Sequence, residues 1–245
     1  MSLPNFGVDQ LFQSRCKYSY PPVTLEGSID NLQHKSFQST LALDKYFYLR
    51  LHSNDCWERV LGYLGIVYWG HYSGQAGRLT PERALGKVQL LIHGIIRKDG
   101  KVVRGIIGPN PEASPYGLRS VCEIITAAKV AIDDDRYGDA LKLLCGLPGI
   151  QVAFASKICA FLNPSKCGVI DKVIASKYPT IGMKTNKDGF IKNVRENFVT
   201  YQRYCCELQG KAALMNKSSK PSWIDIDGGK HEWRAVDVER ALYLI

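Results

Sequence analysis

A short turn rich in glycine and proline separates two predicted helices in the second half of the chain. It reads Leu147-Pro148-Gly149-Ile150, and Gln151 begins the second helix. In such a hairpin the N–H groups of the turn and the positive end of the second helix suit an anion. Because Gly149 allows close approach to the backbone, we expect Leu147, Gly149, Gln151 and Ala153 to hold a DNA phosphate. The alternative is a helical hairpin that only packs, since such turns are common between helices.

An aspartate stands at the start of the next predicted helix. Asn163-Pro164 ends the preceding helix, a short apolar stretch leads to Asp171, and Lys172 opens the new helix. A carboxylate held there could stabilise a positive charge that develops in a reaction and could orient a water molecule. The plain alternative is an N-cap, whose oxygen accepts the first N–H groups of the helix. The two roles are compatible, because a helix N-terminus favours a negative charge.

The order of these segments resembles the helix–hairpin–helix DNA glycosylase superfamily, the group of endonuclease III, alkyladenine glycosylase and 8-oxoguanine glycosylase. The resemblance covers about a quarter of the chain, from Tyr116 to Lys177. It implies a mainly α, two-lobed fold and removal of a damaged base from double-stranded DNA, with Asp171 stabilising an oxocarbenium-like sugar. The segments that carry it are Gly117-Leu118-Arg119, Leu147-Pro148-Gly149-Ile150, Ala155 and Val169-Ile170-Asp171.

Two departures from the family pattern affect the expected reaction. Gln151 replaces the second hairpin glycine, and Ala153 stands where bifunctional members carry their Schiff-base lysine, eighteen residues before Asp171. The resemblance therefore implies monofunctional hydrolysis of the N-glycosidic bond by Asp171 alone. Two alternatives stay open: a DNA-binding relative without catalysis, and a glycosylase/lyase with a relocated amine. Lys157, one helical turn after Ala153, and Lys172 are the candidate amines, although a phosphate or solvent contact is the simpler role for both.

Hydrophobic residues at helical spacing recur along the rest of the chain, which predicts a mainly α fold. Strand-like alternation is scarce, and Lys101–Ile107 is the best candidate. We predict an N-terminal arm of undetermined structure over residues 1–40 and a helical domain over residues 41–245, with the hairpin at about 137–162. The main predicted helices are Asp55–Tyr68, a segment that opens at Thr80-Pro81 and reaches Ile95, Tyr116–Ile132, Tyr137–Cys145, Gln151–Leu162, Phe190–Met215 and Ala235–Ile245.

The chain is basic, with 32 Lys and Arg against 23 Asp and Glu in 245 residues and a formal charge of +9. Residues 151–220 carry most of the excess, with 12 basic and 4 acidic side chains. Lys184, Lys187 and Lys192 form one expected patch that is solvated or faces phosphate. This distribution favours a polyanion, so double-stranded DNA is the expected partner of a monomeric protein. A membrane surface or a protein partner fits the charge but leaves the hairpin and Asp171 unexplained.

Eight cysteines are spread along the chain without C-x-x-C pairs and without His/Cys spacing typical of zinc. We therefore expect reduced thiols, no metal site and no iron–sulfur cluster. No cofactor is expected, apart from a monovalent cation that the hairpin could hold. No segment approaches the roughly 20 apolar residues of a membrane span, and the N-terminus lacks the pattern of a secretory signal. We expect an intracellular protein, cytoplasmic or nuclear.

Overall fold

The computed structural model of the chain describes residues 3–72, 81–108 and 116–245. Helices dominate these ranges, so the prediction of a mainly α fold is confirmed. None of the described helices has both the length and the apolar character that a bilayer crossing requires. Thr80, the predicted cap of the helix that starts at Pro81, lies outside the described residues. The described helices are α1 (Val8–Lys17), α2 (Thr40–Leu51), α3 (Cys56–Tyr72), α4 (Pro81–His93), α5 (Leu118–Asp133), α6 (Tyr137–Leu144), α7 (Val152–Leu162), α8 (Lys172–Lys177), α9 (Arg195–Asn216) and α10 (Ala235–Leu244).

Three antiparallel two-stranded hairpins accompany these helices in the described ranges. One strand falls inside the predicted segment Lys101–Ile107. Two others lie within residues 1–40, whose structure the sequence left undetermined, and the remaining three were not predicted. The strand Asn31–Ser36 shows why the sequence did not indicate these strands: its residues are mostly exposed, and its sequence lacks the alternation of apolar and polar residues that is typical of a strand. The pairs are β1 (Val23–Ser28) with β2 (Asn31–Ser36), β3 (Gly94–Ile96) with β4 (Val102–Arg104), and β5 (Ser222–Ile224) with β6 (Lys230–Glu232).

The chain divides into two compact units. The unit built around α3 contains Tyr20–Thr126 and the turn Gly146–Ile150. Every residue of α3 from Val60 to Trp69 is buried, because this helix packs against α2, α4 and β1. The aromatic side chains of that stretch are therefore core residues. We call this the α3 unit, and the remainder, which contains Met1–Ser19, Ala127–Cys145 and Gln151–Ile245, the α9 unit.

A disulfide crosses the α3 unit from Cys56, at the start of α3, to Cys122 in α5. The expectation of eight reduced thiols is wrong for this pair. The two cysteines are 66 positions apart in sequence, and tertiary packing alone brings their Cα atoms to 5.7 Å. The other six cysteines are free, and three of them, Cys159, Cys167 and Cys205, are buried as small apolar side chains.

The α9 unit is assembled on its longest helix, since α6 and α10 both pack against α9 and α1 packs against α10. A buried ion pair fastens the N-terminal helix into this core: Arg15 Nε donates to Asp237 Oδ1 at 3.0 Å. The Arg15 guanidinium also lies over the Trp223 ring, 3.3 Å from its centroid. The first 40 residues are thus not one element, because α1 belongs to this core whereas β1 and β2 belong to the α3 unit.

The predicted hairpin has its two helices, α6 and α7, joined by residues 145–151. Gly149 has a φ of 66°, a left-handed conformation that favours glycine. The helix predicted from Phe190 begins instead at Arg195. The Asn197 side chain explains the later start, because its Oδ1 accepts the Lys184 N–H and its Nδ2 donates to the carbonyls of Lys184 and Lys192 at 2.7–2.8 Å. These bonds hold residues 184–192 as a loop.

Candidate active site

Asp171 uses its two carboxylate oxygens differently. Oδ1 accepts the backbone N–H groups of Val173 at 2.9 Å and of Ile174 at 3.0 Å, so the residue is the N-cap of α8. Oδ2 lies 4.0 Å from the Lys157 ammonium nitrogen. The side chain is 21% exposed. The cap that the sequence suggested is therefore present, and one oxygen remains directed at another charged group.

Lys157 is not a solvated lysine, because its side chain is only 10% exposed. It lies in the central part of α7, where every residue from Ala155 to Leu162 is buried. Its ammonium nitrogen is also 5.9 Å from the centre of the Phe154 ring. The expectation of a solvent or phosphate contact is wrong for this residue, since the packing of α7 against its own unit encloses the side chain.

Ser156 connects α7 by hydrogen bonds to the stretch that leads to Asp171. Its hydroxyl accepts the Ile170 N–H at 3.0 Å and lies 3.1 Å from the Ile170 carbonyl oxygen. Ser156 is fully buried and precedes Lys157, so the same helical turn fixes the backbone before Asp171 and supplies the neighbouring amine. Ser156 was not predicted as a site residue, although a serine inside an otherwise apolar helix is a signal that could have indicated it.

Two tyrosines of α9 hold the same stretch from its other side. The Tyr201 hydroxyl donates to the Gly168 carbonyl and the Tyr204 hydroxyl donates to the Val169 carbonyl, both at 3.0 Å and both buried. Carbonyl groups 168 and 169 are therefore bonded to α9, while Ile170 is bonded to α7. Asp171 follows a backbone with little freedom, which suits a group that must be held in place before a reaction.

A buried carboxyl group, Glu239 of α10, completes the charged cluster. Burial raises its pKa to about 8, and the nearby charge of Asp171 acts in the same direction, whereas Arg240 and Lys157 lower it. The cluster thus combines two carboxyl groups, an amine and a guanidinium, and all but Asp171 are buried. Glu239 could not be predicted from the sequence, because α10 is distant in the chain and no spacing pattern links it to Asp171.

The second candidate amine, Lys172, is exposed and is directed to a different neighbour. Its ammonium group donates to the Asp188 carbonyl at 2.7 Å and lies 5.2 Å from the centre of the Phe190 ring. Of the two candidate lysines, Lys157 is therefore the one that the structure brings to Asp171. Ala153, at the family's lysine position, is half-buried and carries no reactive group.

The hairpin turn is fixed through its carbonyl groups. Within the α3 unit, the Tyr63 hydroxyl donates to the Pro148 carbonyl at 2.7 Å and the Tyr116 hydroxyl donates to the Gly146 carbonyl at 3.2 Å. The Leu147 side chain is buried, so any part this residue plays in binding an anion is confined to its backbone. Gly149 is exposed.

At the start of α7, Gln151 is exposed and makes no side-chain cap bond to the first N–H groups of the helix. That end of α7 therefore carries the positive partial charge that an anion favours. Two of the four residues expected to bind phosphate, Gly149 and Gln151, are thus exposed, whereas the Leu147 side chain lies in the core.

The loop of residues 184–192 presents an aromatic ring among basic side chains. Phe190 is 60% exposed, and Lys184, Lys187 and Lys192 are exposed as well. Lys184 pairs with Glu196 at 2.6 Å, and its hydrogen bond lowers the Glu196 pKa. The expected lysine patch is therefore present, and the charge of one member, Lys184, is neutralised by Glu196. The patch also includes the ring of Phe190, a residue that was predicted to begin a helix.

No protein-family model, curated protein sequence or solved structure matches the chain. The resemblance to the helix–hairpin–helix DNA glycosylases accordingly stays a prediction that rests on the residues between Tyr116 and Lys177. The geometry adds two facts to it. Asp171 Oδ1 is hydrogen-bonded at a helix start, and an enclosed amine lies 4.0 Å from Oδ2.

Proposed function

We propose that the protein is a DNA N-glycosylase that hydrolyses the N-glycosidic bond of a damaged base, with Asp171 as its catalytic carboxylate. The supporting observation is that the two carboxylate oxygens of Asp171 have different neighbours. Oδ1 is committed to α8, and Oδ2 is directed at Lys157, 4.0 Å away. The second oxygen is therefore not used by the cap, and it belongs to the charged cluster with Lys157.

The reaction places demands on this carboxylate that the site can meet. As the base leaves with the bonding electrons, positive charge develops on the sugar, and a fixed carboxylate stabilises it. A water molecule then adds to the anomeric carbon and passes its proton to a base such as the same carboxylate. The bonds from Ser156, Tyr201 and Tyr204 to the preceding backbone keep Asp171 from moving towards another partner.

Within the α9 unit, binding of DNA would use the start of α7 and the basic loop of residues 184–192. The uncapped start of α7 offers N–H groups to a phosphate. Lys187 and Lys192 add positive charge, and the exposed Phe190 ring could stack on a base. Each of these contacts is independent of sequence, as expected for a protein that searches duplex DNA for damage.

The enclosed Lys157 amine supports a second candidate, a glycosylase/lyase. In that reaction the neutral amine attacks the anomeric carbon, the base departs with the bonding electrons, and loss of a proton with ring opening gives a Schiff base. Elimination of the 3′ phosphate then cuts the strand. The observation that favours it is the position of the Lys157 amine, which lies 4.0 Å from Asp171 Oδ2 on the same helix as Ala153.

A lesion panel distinguishes these candidates. Duplexes with 8-oxoguanine, uracil, alkylated purines or mismatches are incubated with wild type, Asp171→Asn, Lys157→Gln and the control Lys172→Gln, with and without borohydride. The proposal expects base release whose strand cut needs later alkali, at least about 100-fold lower in Asp171→Asn and little changed in Lys172→Gln. A borohydride adduct that Lys157→Gln abolishes would establish the lyase instead. Normal DNA binding without turnover on any lesion would favour a non-catalytic relative.

A further inference from the structure

Three potential metal ligands converge at the β5–β6 hairpin of the α9 unit. Asp225 and Asp227 lie at its tip, His231 lies in β6, and one ligand atom from each is within 4.8 Å of the other two. The register explains part of this convergence. Trp223 is directly opposite His231, and Asp225 follows Trp223 by two positions, so Asp225 and His231 are on the same face.

Two of the polar atoms in this cluster have neither solvent nor a partner. Asp225 Oδ2 and His231 Nε2 are both shielded from water, and neither makes a hydrogen bond among the described residues. A shielded polar atom without a partner is costly, and such atoms call for an explanation such as an ion. A carboxylate oxygen and an imidazole nitrogen that border one space form a natural pair of metal ligands.

A glycine keeps the space between the ligands open. A Cβ atom added at Gly229 would lie 2.9 Å from His231 Nε2 and 3.0 Å from Asp227 Oδ1, closer than ordinary contact. Gly229 also donates its N–H to Asp227 Oδ1 at 2.9 Å, which orients that carboxylate. Any other residue here would put carbon where the two ligand atoms face each other.

The His231 imidazole packs against the core of the α9 unit. The His231 ring centroid is 5.0 Å from that of Trp223, a fully buried side chain. The Arg15 guanidinium covers the same indole. This packing restricts the histidine ring while the hairpin tip stays open to solvent, since the neighbouring Ile226 is 81% exposed. A preorganised ligand and an entry path are both properties of metal sites.

We propose that Asp225, Asp227 and His231 bind a divalent transition-metal ion, with Zn²⁺ as the best match to one nitrogen and two carboxylate ligands. In tetrahedral coordination, two atoms that ligate one Zn²⁺ at about 2.1 Å are about 3.4 Å apart. The three ligand atoms lie within 4.8 Å of one another, so they approach by up to about 1.4 Å when the ion binds. Three protein ligands leave a fourth position for water. The proposal revises the expectation of no metal site, which considered the spacing of Cys and His and not of carboxylates.

Metal titration of the purified full chain tests the proposal. Chelator-treated protein is titrated with ZnCl₂ by calorimetry, and with CoCl₂ by absorption spectroscopy because Co²⁺ reports its ligands. The variants are Asp225→Asn, His231→Gln and Gly229→Ala, which retains all three ligands but fills their space. Glu232→Gln, an exposed carboxylate next to His231 in sequence, is the matched control. Melting temperatures in EDTA show whether each variant is folded.

We expect one Zn²⁺ per chain and a zinc-dependent rise in melting temperature for wild type and Glu232→Gln. Affinity should fall at least about 100-fold in Asp225→Asn and His231→Gln and at least about tenfold in Gly229→Ala. Absence of binding at millimolar Zn²⁺, or unchanged affinity in all three variants, would overturn the proposal. So would an intense near-ultraviolet Co²⁺ band, which would indicate thiolate ligands such as the exposed Cys16 or Cys206.

Discussion

Asp171 should show two separable effects when it is replaced by alanine or by asparagine. Alanine removes the two cap bonds to Val173 and Ile174 and the partner of Lys157. Asparagine keeps a side-chain oxygen that caps a helix about as well as aspartate does, but it removes the negative charge. Stability therefore reports the cap, and base release reports the charge.

The expected loss of stability follows from those contacts. Loss of an N-cap costs about 1 kcal/mol, and α8 has only six residues over which to recover it. The pair with Lys157 is long at 4.0 Å and partly exposed, so it adds at most about 1 kcal/mol. A total of about 1–2 kcal/mol corresponds to a melting temperature about 3–6 °C lower for a chain of this size. Asparagine should cost less than half of that.

Differential scanning calorimetry and single-turnover base release measure the two effects on the same preparations. We expect Asp171→Ala to be destabilised and inactive, and Asp171→Asn to be nearly as stable as wild type and equally inactive. Base release by Asp171→Asn at the wild-type rate would refute the catalytic role and leave Asp171 as a cap. Equal melting temperatures for Asp171→Ala and wild type would refute the structural half of the reasoning.

Three further predictions follow from the α9 unit. The pKa of Glu239 is raised to about 8 from an ordinary value of 4.5, so between these pH values the folded state keeps a proton that the unfolded state has lost. The free energy of unfolding should therefore fall as the pH rises from about 4.5 to about 8. Glu239→Gln should remove most of that fall in urea denaturation measured over this pH range, and an unchanged pH dependence would contradict the prediction. Asp237→Asn should cost about 3–5 kcal/mol in the same assay, because it removes the buried carboxylate that the Arg15, Arg234 and Arg240 guanidinium groups share. A loss below about 1 kcal/mol would show that the negative charge of Asp237 contributes little to stability. In DNA titrations over a range of salt concentrations, Lys187→Gln should reduce the slope of log binding constant against log salt concentration by about one. Phe190→Ala should weaken binding by about 1–3 kcal/mol and leave that slope unchanged. Identical slopes for wild type and Lys187→Gln would show that Lys187 does not contact DNA.

Local sequence patterns predicted where the helices form, but they did not predict which distant residues contact those helices. The start of α8 could be predicted because Asp171 has a capping side chain directly before a helical segment, and the hairpin helices follow the 3.6-residue period. The start of α9 could not, since the Asn197 side chain bonds to backbone groups up to 13 positions earlier. Local periodicity carries no information about such a bond.

The candidate site shows the same limit more strongly. The capping role of Asp171 could be predicted from sequence because it depends on the residues that directly follow it. The burial of Lys157 and the approach of Glu239 depend on how α7 and α10 pack, and a lysine or a glutamate in a helix is usually assigned to the solvent face. The metal-ligand cluster was missed for a related reason, because Asp and Gly in a tight turn ordinarily need no explanation beyond the turn itself.

The disulfide between Cys56 and Cys122 has a consequence for every measurement on this protein. Closing a loop of 66 positions restricts the unfolded chain by an amount worth about 4 kcal/mol in the loop-entropy description. Protein from a reducing expression host and protein oxidised during purification would then share one sequence and differ in stability by more than most point mutations produce. The free thiols of each preparation should therefore be quantified whenever its melting curve is measured. Variants should be compared only between preparations in which the disulfide is in the same oxidation state.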